Sequence, residues 1–267
     1  MLLTLASAAA MVSCGQKSAK DGDENFRYLI DQFADIKIMR YRIPGWEDLS
    51  LRQKEYIYHL SEAAKYGWDI HWDQNCRYNL DVRNVLQDII EKYDGDRNCG
   101  DYADFLVYAK RVFFSNGIHH HYAEDKFTPE CSEEYFRSLM EAVGHGEECD
   151  KLIPVIYDPA ILSQRRSSDP EGDIVALSAV NFYEGVTREE VEAYYDSIID
   201  RNDPHPISYG LNTKVVKNEE GKVVELPWKV GGIYGPALEK ICEELEKAKA
   251  VAENDTQRQE ISELQEY

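Results

Sequence analysis

The chain has 267 residues, enough to bury a sizeable core in one large domain or two small ones, and 43% of them are hydrophobic, as in a globular protein. Fifty acidic against thirty basic side chains give a formal charge of −20 at pH 7. That field repels phosphate backbones and anionic lipid, so it excludes a nucleic-acid partner and polybasic membrane docking, while eighteen tyrosines and four tryptophans exclude intrinsic disorder.

The first thirteen residues, MLLTLASAAAMVS, are apolar and small, and run through Val12 and Ser13 into Cys14-Gly15 and a polar Lys/Asp/Gly stretch ending at Glu24. Too short to span a bilayer, this reads as a bacterial lipoprotein signal (1–13) with Cys14 as the acylated residue and 14–24 as a tether. It predicts an exported protein held by lipid in the cell envelope of a Gram-negative bacterium, the membrane being a partner only through that anchor. The first positive charge is Lys17, so the basic leader of such a signal is missing and the start reads as placed a few residues late.

Phe26, Leu29, Ile30 and Phe33 fall at helical spacing and predict an amphipathic helix over 24–35, followed by a strand over 36–43 that stops at Pro44-Gly45. Ser50 with Gln53 forms a capping box for a helix to about Tyr66, closed by Gly67. Further helices are predicted near 79–93, 102–115, 132–143 and 187–200, the last opened by a Thr187/Glu190 box; Gly117 and Gly144 end two of them. Strands are predicted around Ile153, over 174–183, and over 206–217 and 222–230, the last two a hairpin about Asn218–Gly221. Gly235-Pro236 opens a long helix through Ile241, Leu245 and Ala248, and a second starts with Asp255 or Thr256 as cap. The expected fold is α+β: a mostly helical lobe with one small mixed sheet of about five short strands, and no internal domain boundary. Ile261 and Leu264 begin an apolar stripe with no later helix to receive it, which suggests a piece of a longer protein.

The chemistry-bearing motifs are sparse. Beyond Cys14, the cysteines at 76, 99, 131, 149 and 242 are odd in number and widely spaced, against both a disulfide framework and a zinc knuckle. There is no nucleophile elbow, P-loop or dinucleotide fingerprint. Gly231, Gly232 and Gly235 read as turn residues, and the pairs Glu189-Glu190 and Glu243-Glu244 as solvated charge. The densest cluster runs from Ser115 to Phe127 and holds His119, His120 and His121. Three adjacent imidazoles do not converge on one ion, so no metal is expected there; the alternatives are exposed loop imidazoles or a loop that touches a peptide-like ligand. His145, flanked by glycines and lacking a second histidine at helical spacing, reads as a loop residue.

The order of segments resembles a known family. Phe33-Ala34-Asp35-Ile36, Ile38-Met39-Arg40-Tyr41, Tyr56-Ile57-Tyr58-His59-Leu60, Ser115-Asn116-Gly117-Ile118-His119-His120-His121-Tyr122, Asn181-Phe182-Tyr183-Glu184-Gly185-Val186-Thr187, Ser208-Tyr209-Gly210-Leu211-Asn212-Thr213-Lys214 and Trp228-Lys229-Val230-Gly231-Gly232 stand as in the N-terminal portion of bacterial dipeptidyl peptidase III. The resemblance covers about 26–267 and implies a zinc exopeptidase that takes dipeptides from the N-terminus of oligopeptides, with two lobes facing a cleft. It makes 25–267 the lobe without zinc, since the family's H-E-x-x-G-H motif is absent from these residues. On that footing zinc is the cofactor of the full-length enzyme and none is expected on this chain, which carries no catalytic residue and alone should be inactive. Its partners would be an oligopeptide substrate and the missing C-terminal zinc lobe. Tyr122 matches an aromatic lining the subsite for the peptide's first residues, Asn116 is its companion, and His120 and His121 are candidate contacts without a fixed family role. The alternative is a non-catalytic peptide-binding surface lipoprotein.

Overall fold

The structure, a computed structural model, describes residues 26–267. The expected signal, the tether and the anchor Cys14 lie outside the described residues. Two compact units divide the chain, Met1–Pro44 and Gly45–Tyr267, where the sequence suggested no internal boundary.

In the first unit, Leu29–Phe33 (β1) and Ile36–Met39 (β2) form an antiparallel hairpin, with Phe33 opposite Ile36 and Leu29 opposite Met39. This corrects the helix expected over 24–35. The spacing of Phe26, Leu29, Ile30 and Phe33 suits a helix only if one face is buried, yet Leu29 and Ile30 are exposed. An adjacent strand, two residues away across a turn at Ala34 (φ 45°), supplies the backbone partners instead. Arg40 N–H donates to Tyr28 O at 2.9 Å, and the Arg27 side chain donates to Leu29 O at 2.8 Å.

The second unit opens with Leu51–Tyr66 (α1), where the predicted capping box is present in both directions. Trp68–Asn75 (α2) follows after one residue, then Asn79–Lys92 (α3), Gly100–Ser115 (α4), Glu133–Ala142 (α5, capped by Ser132) and Cys149–Tyr157 (α6). The α6 helix stands where a strand was expected around Ile153. Cys149, Leu152, Ile153 and Ile156 are all buried, and their spacing is helical; a short apolar run does not by itself reveal its period. Ile174–Leu177 (α7) is likewise one helical turn in a stretch expected to be extended, because the Asp173 carboxylate accepts from Val175 N at 2.9 Å and Ala176 N at 3.1 Å.

Tyr183–Glu184 (β3), Thr213–Lys217 (β4) and Val223–Pro227 (β5) form a three-stranded sheet, β3 parallel and β5 antiparallel to β4. The described strands therefore number five, as expected, but lie in two sheets rather than one. Between β3 and β4 runs Arg188–Ile198 (α8), opened by its capping box. Gly235–Val251 (α9) and Asp255–Glu266 (α10) complete the unit, α10 being capped by Asn254 rather than Asp255 or Thr256.

The main core lies among α2 to α6. Phe136 sits at its centre, fully buried and edge-on to Phe105 (5.7 Å between ring centres), Tyr108 (6.0 Å) and Tyr157 (6.0 Å). A smaller cluster joins α1, α9 and α10 through Ala63, Leu245 and Ile261, so Ile261 does have a receiving surface. Arg52 and His59 of α1 tie the helices further, Arg52 donating to Val251 O at 2.8 Å and His59 Nδ1 lying 2.9 Å from the Glu244 carboxylate.

Candidate functional site

The α4 helix ends at Asn116, which takes the left-handed conformation (φ 54°, ψ 44°) and turns the chain into the loop that carries the histidines. Gly117 follows with φ near +149°, and a Cβ there would lie 2.3 Å from Asn79 Nδ2. Asn79 is the reason for that close approach. Fully buried at the start of α3, it donates to Trp72 O at 2.9 Å and accepts from Ile118 N at 3.1 Å, so one amide ties α2, α3 and the loop together.

The three histidines part company at this point. His119 pairs across a bridge with Lys126 and is 2% exposed, so it is neither an exposed imidazole nor a ligand contact. Its Nε2–H donates to Leu162 O at 2.8 Å, which leaves Nδ1 as a buried acceptor without a partner among the described residues. Burial pushes His119 down to about 4, and the charges of Lys126 and Arg165 act in the same direction. His120, the next residue, is only partly buried. His120 Nδ1 accepts from Tyr122 N at 3.1 Å and Ala123 N at 3.0 Å, which places the ring's proton on Nε2. His121 stacks on His120 at 4.7 Å, with Nδ1 3.3 Å from Ser115 Oγ; partial burial and His120 lower its pKa.

An aromatic ledge results. Tyr122 is 83% exposed and packs on His121 at 4.3 Å, while the exposed Phe114 meets His121 edge-on at 5.1 Å. Trp68, also exposed, donates from Nε1 to Asn116 Oδ1 at 2.7 Å. That bond occupies the amide oxygen of Asn116 and leaves its NH2, which has no partner among the described residues, as a donor beside the rings. Tyr122, Asn116, His120 and His121 are thus brought onto one loop, and Trp68 and Phe114 join them unannounced by the sequence. Stacking rings with one amide donor suit a chain of amides or a ring system.

Two clamps hold the loop. Glu124, itself at positive φ, accepts from Arg165 Nε at 2.8 Å and Nη2 at 2.7 Å, and from Arg166 Nη2 at 2.6 Å. The two guanidiniums hold its carboxyl down to about 2. Arg165 also donates to His121 O at 3.1 Å. In the second clamp, the Lys126 ammonium donates to Val155 O at 2.9 Å, Ile161 O at 2.7 Å and Asp158 O, capping the C-terminal end of α6.

A second concavity, a groove of about 640 Å³, is lined by Leu60 and Ala63 of α1, Ile241 and Leu245 of α9, Leu264 of α10, and Trp228. His145 lies elsewhere, with Nε2 2.9 Å from Asp88 and Nδ1 3.3 Å from Glu148. Among the described residues no three His, Cys, Asp or Glu side chains are grouped to hold a metal ion.

These features define an α+β lobe, a helical core carrying a small mixed sheet, with an aromatic ledge pinned to it. No protein-family model matches the sequence, and no curated protein matches it. Among solved structures the fold is similar to dipeptidyl peptidase III from Caldithrix abyssi (TM-score 0.50, 17% identity, 83% of this chain and 31% of that one). It is similar also to dipeptidyl-peptidase III from Corallococcus sp. strain EGB (TM-score 0.52, 18% identity, 84% of this chain and 32% of that one). The chain therefore spans about a third of the length of the structures it matches. The likeness expected from the order of motifs holds at the level of fold: the chain has the fold of a portion of dipeptidyl peptidase III.

Proposed function

We propose that the chain is the N-terminal, substrate-binding lobe of a zinc-dependent dipeptidyl peptidase that releases dipeptides from the N-terminus of oligopeptides. The observation that carries this reading is the shared fold with two dipeptidyl peptidase III structures, joined to a rigidly clamped ledge of Tyr122, His121, Trp68 and Asn116 on the same lobe. Peptide amides and side chains would meet rings and a free amide donor there.

The described residues do not fit a zinc site, so on this reading zinc belongs to a second lobe, within the two-thirds of those structures' length that this chain does not span. The apolar groove of α1, α9 and α10 is a surface of the kind such a lobe would cover. We further propose export and lipid anchoring through Cys14; no described helix is long and apolar enough to cross a membrane.

Two measurements test the proposal. Fluorescence titration with an oligopeptide should show binding that weakens about three- to tenfold in Tyr122→Ala, the worth of one aromatic contact. The chain alone should release no dipeptide from a chromogenic dipeptidyl substrate, and turnover with stoichiometric zinc would overturn the lobe assignment. For the anchor, incorporation of labelled palmitate should be lost in Cys14→Ser; unchanged labelling would refute it.

A further inference from the structure

Just past the C-terminal end of α2 lies a recess of about 230 Å³ that the ledge does not use. It is lined by Arg77, Leu162 and the segment running from Val175 to Val186. Three of its polar groups have no hydrogen-bond partner among the described residues.

Asn181 is nine-tenths buried. Its Nδ2 donates to Asp73 Oδ2 at 3.0 Å, and the same oxygen accepts from the Tyr234 hydroxyl at 2.5 Å. A carboxylate only accepts, so the orientation of the Asn181 amide is fixed and its oxygen is left as an acceptor with no partner among the described residues. Arg77, on the same recess, forms no hydrogen bond or close ion pair with any described residue; its guanidinium lies 5.3 Å from the centre of the Tyr78 ring and its charge also acts on the neighbouring Glu184, whose carboxylate holds Lys214 Nζ at 2.5 Å. The Tyr183 hydroxyl also has no partner among the described residues, and burial raises its pKa, so it stays a donor. Ser178 contributes nothing further, because its Oγ donates to Ile174 O and accepts from Ser167 N.

The walls are already set. Ala179 N, Val180 N and Asn181 N donate to Gln164 O, Arg165 O and Gln74 O at 2.9–3.1 Å, so a ligand would meet a preorganised surface.

We propose that this recess is a second binding site, selective for a small molecule carrying a carboxylate together with an N–H donor, as in a free amino acid or a short peptide. The carboxylate would sit on the Arg77 fork and the Tyr183 hydroxyl, and the N–H on the Asn181 oxygen.

The test is a titration of the ¹⁵N-labelled chain with glycylglycine, read from the Asn181 side-chain amide and the backbone amides of 179–181. Saturable shifts there are expected; glycinamide, which lacks the carboxylate, should produce none, and glycine against glycylglycine separates the amino acid from the peptide as the better ligand. Arg77→Gln should weaken binding about tenfold, Arg77→Lys less, and Tyr122→Ala not at all, which separates this site from the ledge. Absence of saturable shifts at 179–181, equal binding of glycinamide, or an unaltered Arg77→Gln titration would overturn the proposal.

Discussion

Acidification from pH 7.5 to pH 5 should destabilise the fold through His119, and the size of the effect follows from its surroundings. The ring is 2% exposed, its Nε2–H is held by Leu162 O, and burial with Lys126 and Arg165 nearby brings its pKa to about 4. In the unfolded chain the group titrates near 6.5, so below that pH the unfolded state takes up a proton that the native state refuses. The stability conferred by the neutral ring is complete above about pH 6.5 and is lost as pH falls toward 4. Linkage gives a loss of about 2 kcal/mol at pH 5 and about 3 kcal/mol at pH 4. Against the transition entropy of a domain this size, 2 kcal/mol is about 4–8 °C in Tm. Other groups titrate over the same range, so the measurement is a comparison with His119→Gln, which keeps a donor for Leu162 O and cannot ionise. Urea denaturation at pH 7.5, 6 and 5 should show the wild-type chain losing about 2 kcal/mol more than the variant. Parallel curves for the two proteins would refute the reasoning.

Glu124 titrates in the same sense, over a lower pH range. With its carboxyl held to about 2, the ion pairs stabilise above about pH 4.5 and fade as pH falls toward 2, so Glu124→Gln should cost about 1–2 kcal/mol at pH 7, allowing for solvent at the rim. An equal deficit at pH 3, measured by denaturation, would contradict this. Gly117→Ala puts a Cβ against Asn79 at positive φ and should cost about 2–4 kcal/mol in the same assay. Phe136→Ala should cost about 3–5 kcal/mol, and a loss below about 1 would show that the aromatic cluster is not the centre of the core.

Local chemistry was legible in the sequence wherever partners are a few residues apart. The Ser50–Gln53 and Thr187–Glu190 boxes and the turn in which Asn218 Oδ1 accepts from Glu220 N and Lys222 N are all fixed within four residues. What depended on distant partners was not legible. The helical spacing over 26–33 lost to pairing with the next strand, and the apolar run at 152–156 gave no sign of its period until it was packed against α5. At the ledge, the loop from 115 to 122 could be singled out, but three identical imidazoles in a row gave no hint that His119 turns inward. Trp68 reaches Asn116 across 48 residues and Arg165 reaches Glu124 across 41, separations at which spacing carries no information.

The Lys126 ammonium has a consequence for how the ledge opens. Three carbonyls around the end of α6 depend on it, while Lys126 N–H donates to Ser163 O at 3.0 Å and Phe127 N–H to Ile118 O at 2.8 Å. Swinging the loop away therefore strands helix-end carbonyls on one side and strand-like amides on the other in the same event. Deuterium uptake at residues 118–127 and 158–165 should accordingly proceed at a shared rate, much slower than the exposure of Tyr122 alone would suggest, because the loop leaves only when the end of α6 frays with it.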